Sequence, residues 1–258
     1  MADRASARAV LRTGVVWQVL RAALAERAQT LADTRPPGPP VALRVLDAGG
    51  GTGGFAVPIA ELGHRVTVVD PNPDSLAALE RRAAEAGVSE LVQGVQGDAA
   101  GLGDVVETAG YDVVVCHSVL EVVDDPAEAL AAVARAVRSG GLVSVLAATR
   151  VAAVLARILT GRVGEAAALL ADPQGAGGAG DPVRRRFDLD ELCRLLRAAG
   201  LVPGPVHGVR VLSDLVPGAL LDGDPTAVEA LTALESRVAE LPPYRDLATQ
   251  LHVLAVAR

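Results

Sequence analysis

The sequence predicts an α/β fold, a mostly parallel sheet of seven strands with helices on both faces. Three observations carry this reading. Short apolar runs alternate with stretches of helical spacing from residue 43 to 148, a glycine-rich turn stands where the first run gives way to the first helix, and aspartates follow the first three runs. Such alternation implies right-handed crossovers between parallel strands.

Residues 43–46 are apolar and partly β-branched, as a doubly buried parallel strand requires, and residues 55–62 resume with helical spacing. Asp47, Ala48, Gly49, Gly50, Gly51, Thr52, Gly53 and Gly54 lie between them. Glycine is needed at such a crossing because the backbone bends tightly and a ligand can approach a main chain without Cβ atoms. A second strand, 65–70, ends in Asp70 and leads to a helix at 75–86, with Asn72 and Asp74 offering capping oxygens. A third apolar segment, 91–95, leads to Asp98 and Ala99. The fourth strand spans 111–116 and is followed by His117; Asp125 and Pro126 then open a helix expected to reach Arg138. Ser139, Gly140 and Gly141 should stop that helix before a fifth strand at 142–146.

Beyond Ala148 the alternation breaks. Residues 151–170 read as one helix despite Gly161 and Gly164, residues 172–181 as a mobile glycine-rich loop, and Arg184, Arg185 and Arg186 as a solvated charge run. Residues 149–187 are therefore expected to form a cap or lid beside the strand ends. A helix at 189–199, a sixth strand at 201–212, a helix at 226–241 and an antiparallel seventh strand at 250–257 complete the pattern. At the other end, residues 5–33 form an amphipathic helix, and the proline-rich stretch 35–40 is a stiff connector. The expected organisation is an amino-terminal helical arm, 1–34, and a main domain, 41–258.

Composition removes several function classes. All 24 basic residues among the 258 are Arg, so a Walker A lysine, a Schiff-base lysine and the Tyr-x-x-x-Lys pair of short-chain dehydrogenases are all missing. Half of the residues are hydrophobic but only 2% are aromatic, so the core is built from Ala, Val and Leu. A net charge of −7 argues against a broad nucleic-acid-binding surface while allowing a local patch. Cys116 and Cys193 lack metal-ligand spacing, so no metal is expected, and two cysteines do not make a secreted disulfide scaffold. Arg150 splits the longest apolar run and Arg4, Arg8, Arg12 and Arg21 interrupt the amino-terminal one, which leaves neither a membrane span nor a signal-peptide core. The expectation is a cytoplasmic protein.

The ligand of the glycine turn has two readings. Gly49, Gly51 and Gly54 satisfy the dinucleotide pattern G-x-G-x-x-G, whereas Asp47, Gly49, Gly51 and Gly53 satisfy acid-x-Gly-x-Gly-x-Gly. The second pattern resembles motif I of the class I methyltransferases that use S-adenosylmethionine (SAM). A carboxylate at the strand end suits the cationic SAM better than an anionic pyrophosphate; the alternative is that Asp47 only caps the turn. Asp70, 17 residues after Gly53, stands near the offset at which an acid meets ribose hydroxyls. The resemblance implies a Rossmann-like fold and adds Pro71 beside Asp70, Asp98 toward the adenine amine, the backbone N–H of Ala99 toward the ring, and His117 at the fourth strand end.

A narrower resemblance runs from about residue 8 to the carboxyl terminus. Arg12 with Trp17, residues 47–53 and 116–121, Gly208 to Val211, Leu234 to Arg237, Pro243 with Tyr244, and His252 with Val253 are similar to the tRNA 5-carboxymethoxyuridine methyltransferases. That family esterifies a carboxylate on a wobble uridine, so the resemblance implies a tRNA acceptor. At 211–215 the sequence departs from the family's pattern, which has His and Tyr there. Small-molecule O- or N-methylation and non-catalytic SAM binding stay open as alternatives. A carboxylate acceptor needs a cation to hold it, for which Arg210 and His252 are the candidates; a hydroxyl acceptor needs a base, for which His117 is best placed. Arg12 is the candidate to clamp the carboxylate of SAM.

Overall fold

The computed structural model describes residues 2–36, 38–178, 180–217, 221 and 224–258, with side chains from residue 13 onward. Seven strands form one sheet: β1 (Arg44–Ala48), β2 (Arg65–Asp70), β3 (Val92–Gln96), β4 (Tyr111–His117), β5 (Val137–Ala148), β6 (Leu201–Val209) and β7 (Gln250–Ala257). Their order is β3-β2-β1-β4-β5-β7-β6. β1 pairs in parallel with both β2 and β4, and β2 pairs in parallel with β3. Chain order therefore reverses between β1 and β4, the switch point beside which open α/β sheets bind ligands at their carboxyl ends. The mostly parallel sheet carries one antiparallel hairpin.

The described helices are α1 (Ala2–Asp33), α2 (Ala56–Glu61), α3 (Pro73–Glu85), α4 (Leu102–Val105), α5 (Pro126–Ala136), α6 (Arg150–Leu159), α7 (Val163–Ala171), α8 (Leu189–Ala198) and α9 (Pro225–Val238). Two compact units result. The first comprises Leu20–Val145, Cys193–Gly204 and Leu254–Arg258; the second comprises the chain up to Val19, Leu146–Leu192 and Pro205–Val253.

In the first unit, Val45, Leu46, Val113, Val114 and Val115 are all buried, because helices cover both faces of these strands. The buried face of α5 mixes the small Ala129, Ala132 and Ala136 with Leu130 and Val133. Asn72 caps α3 by accepting from the backbone N–H of Asp74, and Asp125 caps α5 by accepting from those of Ala127 and Glu128. The expected helix through Arg138 is shorter, since α5 ends at Ala136 and β5 begins at Val137. Arg138 leaves the helix to pair with the buried Asp112 and to donate to the carbonyl of Gly110 at 3.0 Å. A buried carboxylate demands such a partner, and this demand outweighs another half-turn of helix.

The second unit departs further from expectation. The single helix at 151–170 is two, α6 and α7, broken at Gly161 with φ +76°. A left-handed glycine just past a helix end stops it there. The arginine run does not share one solvated face: Arg186 is buried and donates through Nη2 to Asp181 Oδ2 at 2.8 Å. Arg157 donates to the same oxygen at 2.8 Å, so two guanidinium groups fasten the end of the glycine-rich stretch expected to be mobile. Ala179 of that stretch lies outside the described residues. The sixth strand ends at Val209 instead of 212, because Arg210 turns to φ +56°. The last helix, α9, stops at Val238 rather than 241.

Candidate functional site

The glycine turn is shaped by close packing as much as by backbone angle. Gly49 has φ +74°, and a Cβ there would lie 2.4 Å from Val119 Cγ2; Gly53 has φ +80°, and a Cβ there would lie 2.3 Å from Leu79 Cδ1. Neither position admits a side chain. Gly50 lies against the Asp47 carboxylate, with a virtual Cβ 2.5 Å from Oδ2. The Gly51 N–H donates to Asp70 Oδ2 at 2.9 Å, while Asp70 Oδ1 accepts from the Asn72 N–H at 2.9 Å. Asp70 thus ties the tip of the β1–α2 turn to the end of β2.

Asp47 lies opposite Val68 on β2 and Val115 on β4, so its carboxyl group sits at the centre of the parallel strands and is buried. Burial, and after it the negative charge of Asp70, raise its pKa to about 7. A cation brought to this pair would draw Asp47 into its ionised form. Pro71 is exposed beside Asp70. Asp98 is exposed as well, and its Oδ1 accepts from the Gly101 N–H at 2.7 Å, which makes it a turn cap in this structure; Ala99 beside it is buried.

His117 closes β4. Its Nε2 lies 2.8 Å from Ser144 Oγ, and the ring meets Phe55 edge-to-face with centroids 4.6 Å apart. Burial lowers its pKa to about 3. Burial thus disfavours the charged ring, and the contacts with Phe55 and Ser144 orient it at the strand end. The turn that follows has Ser118 at φ +55° and sends Val119 onto Gly49. Val119 packs against the turn and was not singled out by periodicity; nothing in the sequence links it to Gly49, 70 residues before it.

The first unit therefore brings together Asp47, Gly49, Gly51, Gly53, Asp70 and His117 at neighbouring strand ends, with Asp98 two residues past β3. The other candidates belong to the second unit. The side chain of Arg12, on α1, lies outside the described residues. His252, on β7, is fully buried with its ring 5.7 Å from that of His207, which places it in the core. Arg210 follows β6 in the left-handed region, with Nη1 3.6 Å from Asp214. Among the described residues no cluster of His, Cys, Asp and Glu is arranged to hold a metal ion.

Comparison with known proteins decides what the turn serves. A methyltransferase domain model matches residues 46–145. The tRNA 5-carboxymethoxyuridine methyltransferase of Escherichia coli K12 is 30% identical over 245 residues, covering 95% of this chain and 87% of that enzyme. The chain belongs to the tRNA 5-carboxymethoxyuridine methyltransferase family. The protein of strain O157:H7 matches to the same extent. The chain shares its fold with distant proteins: a SAM-dependent methyltransferase from Methanosarcina mazei superposes with TM-score 0.57 at 17% identity, covering 84% of this chain and 92% of its own. The [4+2]-cyclase SpnF superposes with TM-score 0.55 at 19% identity, covering 89% and 80%, so the fold alone does not specify the reaction.

This family member is a SAM-dependent methyltransferase. The turn fits SAM chemically. Asp47 and Asp70 are two acids beside the turn for a doubly cationic ligand with a ribose diol, and at Gly51 and Gly54 the backbone is open, a Cβ there meeting nothing closer than 3.9 Å. Among the described residues no helix is long and apolar enough to cross a membrane.

Proposed function

We propose that this enzyme transfers the methyl group of SAM to a carboxylate oxygen of a modified wobble uridine in tRNA, forming a methyl ester. The observation that carries the reading is the extent of the relationship. The match to the Escherichia coli enzyme covers 95% of the chain and so reaches well beyond the methyltransferase domain at 46–145, into the segment that holds Arg210. When bound, SAM supplies a methyl group already activated by a positive sulfur; the S–CH3 bond breaks as the O–CH3 bond forms, and no proton is released.

The residues then have separable tasks. Asp47 and Asp70 hold the cationic and ribose parts of the cofactor, Asp98 and the Ala99 N–H meet the base, and Arg12 pairs with its carboxylate. Arg210 holds the acceptor carboxylate, which is ionised at neutral pH and needs no general base; this agrees with the low basicity of His117. α6 and α7 belong to the segment 149–187 that serves as a cap. Base contacts must be few, since Tyr244 is the one aromatic side chain exposed among the described residues, at 48%. A tRNA substrate also places the enzyme in the cytoplasm.

The test is transfer of labelled methyl from SAM to tRNA purified from cells lacking the enzyme, beside a panel of phenolic and carboxylic metabolites. Label should enter tRNA and leave it as methanol under mild base, as an ester does and an ether or N-methyl group does not. Base-stable label, or transfer to a metabolite alone, overturns the acceptor.

A further inference from the structure

The turn after β6 is held by a buried acid that the mechanism has not yet used. Glu235, on α9, is 3% exposed. Its Oε2 accepts from the Val211 N–H at 3.0 Å, and its Oε1 accepts from the Leu212 and Ser213 N–H groups at 2.9 and 2.6 Å. Three consecutive backbone donors thus converge on one side chain more than twenty residues away in sequence. The residue just before them is Arg210, with φ +56°. A side chain in that region is strained and persists only where its surroundings hold it there.

The surroundings are tight. The Arg210 carbonyl accepts from the Thr249 N–H at 3.3 Å, and the Thr249 hydroxyl donates to Asp214 Oδ2 at 2.8 Å. Val211, Val238 and Ala248 form a small buried cluster with Leu212 packed against it. Gly208 lets the strand pass, since a Cβ there would lie 2.9 Å from the Cβ of Ala248 and 3.0 Å from Arg245 Cα. Within this turn Arg210 Nε and Ser213 Oγ have no hydrogen-bond partner among the described residues, while the Arg210 side chain as a whole is 24% exposed and so can be reached by an acceptor. A buried guanidinium donor and a buried hydroxyl left unmatched three residues apart are costly unless an acceptor is brought to them.

The geometry points to the segment Arg210–Ser213 as the acceptor-carboxylate site, with Ser213 a second donor beside Arg210 and Glu235 the positioning residue that fixes both. This rests on the reading of Arg210 given above. The negative charge of Glu235 does not repel the acceptor strongly, because both of its oxygens are committed to backbone donors, and Asp214 is engaged by Thr249 and Arg210. Glu235→Gln exchanges one acceptor oxygen for a donor, so at least one of the three N–H groups loses its partner and the turn relaxes.

The test measures binding of two fluorescent anticodon stem-loops, one bearing 5-carboxymethoxyuridine at the wobble position and one bearing uridine, by anisotropy. The affinity ratio isolates the carboxylate. Wild type should prefer the carboxylated stem-loop about tenfold or more, the strength of a charge-assisted pair. Arg210→Met and Glu235→Gln should each bring the ratio close to one, Ser213→Ala should lower it several-fold, and the Arg210→Met/Glu235→Gln double variant should be no worse than either single. If Glu235 serves stability alone, its variant weakens both stem-loops equally and leaves the ratio intact, which overturns the inference. Ser213→Ala, a minimal change, keeps the test open if the Glu235 variant does not fold. An unchanged ratio in Arg210→Met, or no preference in wild type, refutes the acceptor reading and the turn's role with it. A collapsed ratio in Arg210→Met with Glu235→Gln and Ser213→Ala unaffected refutes this inference alone.

Discussion

Two turns, one in each unit, solve the same backbone problem with different residues. At the β1–α2 turn Gly49, Gly51 and Gly53 take positive φ, and Asp70 accepts from the Gly51 N–H. At the β6 turn Arg210 takes positive φ, and Glu235 accepts from the next three N–H groups. Both turns are fixed by a carboxylate from elsewhere in the chain. They differ in what occupies the strained position. In the glycine turn Val119 and Leu79 pack where the Cβ atoms of Gly49 and Gly53 would stand, so side chains are excluded there. The second turn carries a guanidinium, and its strain is tolerated because three hydrogen bonds and a local core hold it.

Substitutions can break this comparison. Gly49→Ala forces a methyl onto Val119 at a left-handed position and should weaken SAM binding by about 100-fold or more, with a stability loss of about 2–3 kcal/mol, seen by calorimetry. Arg210→Gly makes the second turn like the first: backbone strain is relieved, so stability should stay within about 1 kcal/mol of wild type. Its KM for tRNA should nevertheless rise roughly 10- to 50-fold, the loss of a charged hydrogen bond. Equal loss of stability and affinity would show that the arginine is there for packing.

Asp47→Asn sharpens the electrostatic side. Because the folded-state pKa of Asp47 is raised to about 7, the native protein binds a proton that the unfolded chain has released, and stability falls as pH rises from about 4 to about 7. The lowered pKa of His117 acts oppositely below its unfolded value of 6.5, so the wild-type profile mixes the two. The difference between Asp47→Asn and wild type isolates Asp47: the apo variant should become progressively more stable than wild type from pH 5 to 8, by up to roughly 3–4 kcal/mol. Its SAM affinity should drop about tenfold at pH 8, where the lost charge matters. A melting difference that does not change with pH would place Asp47 in a more solvated setting. The smallest effect is expected from His117→Gln, with kcat within about tenfold of wild type and no basic group lost from the pH–rate profile between 6 and 9. Loss of a limb in that range would restore His117 as a proton acceptor.

How much of this was legible in the sequence depended on the range of the interaction involved. Asp47, Asp70 and the glycines could be read directly, since a strand end, an acid and a bare turn are neighbours along the chain. Asn72 and Asp125 were legible as caps for the same reason. Glu235 was not, because nothing near position 235 announces that its carboxylate serves residues 211–213. The end of α5 at Ala136 and the fastening of Asp181 by Arg157 and Arg186 were hidden likewise, each depending on a buried charge finding a distant partner.

By itself, then, the chain of amino acids determined the alternation of strands and helices, the glycine turn and the acids that attend it, and through them the methyl donor. Hydrophobic periodicity and turn chemistry act over a few residues and need no fold to be read. Only the tertiary structure decided that Asp47 is buried enough to hold a proton near neutrality, that burial lowers the basicity of His117, and that an arginine can sit where glycine is usual. Desolvation and buried hydrogen bonds depend on which distant segments surround a group, and that is known only once the chain has folded.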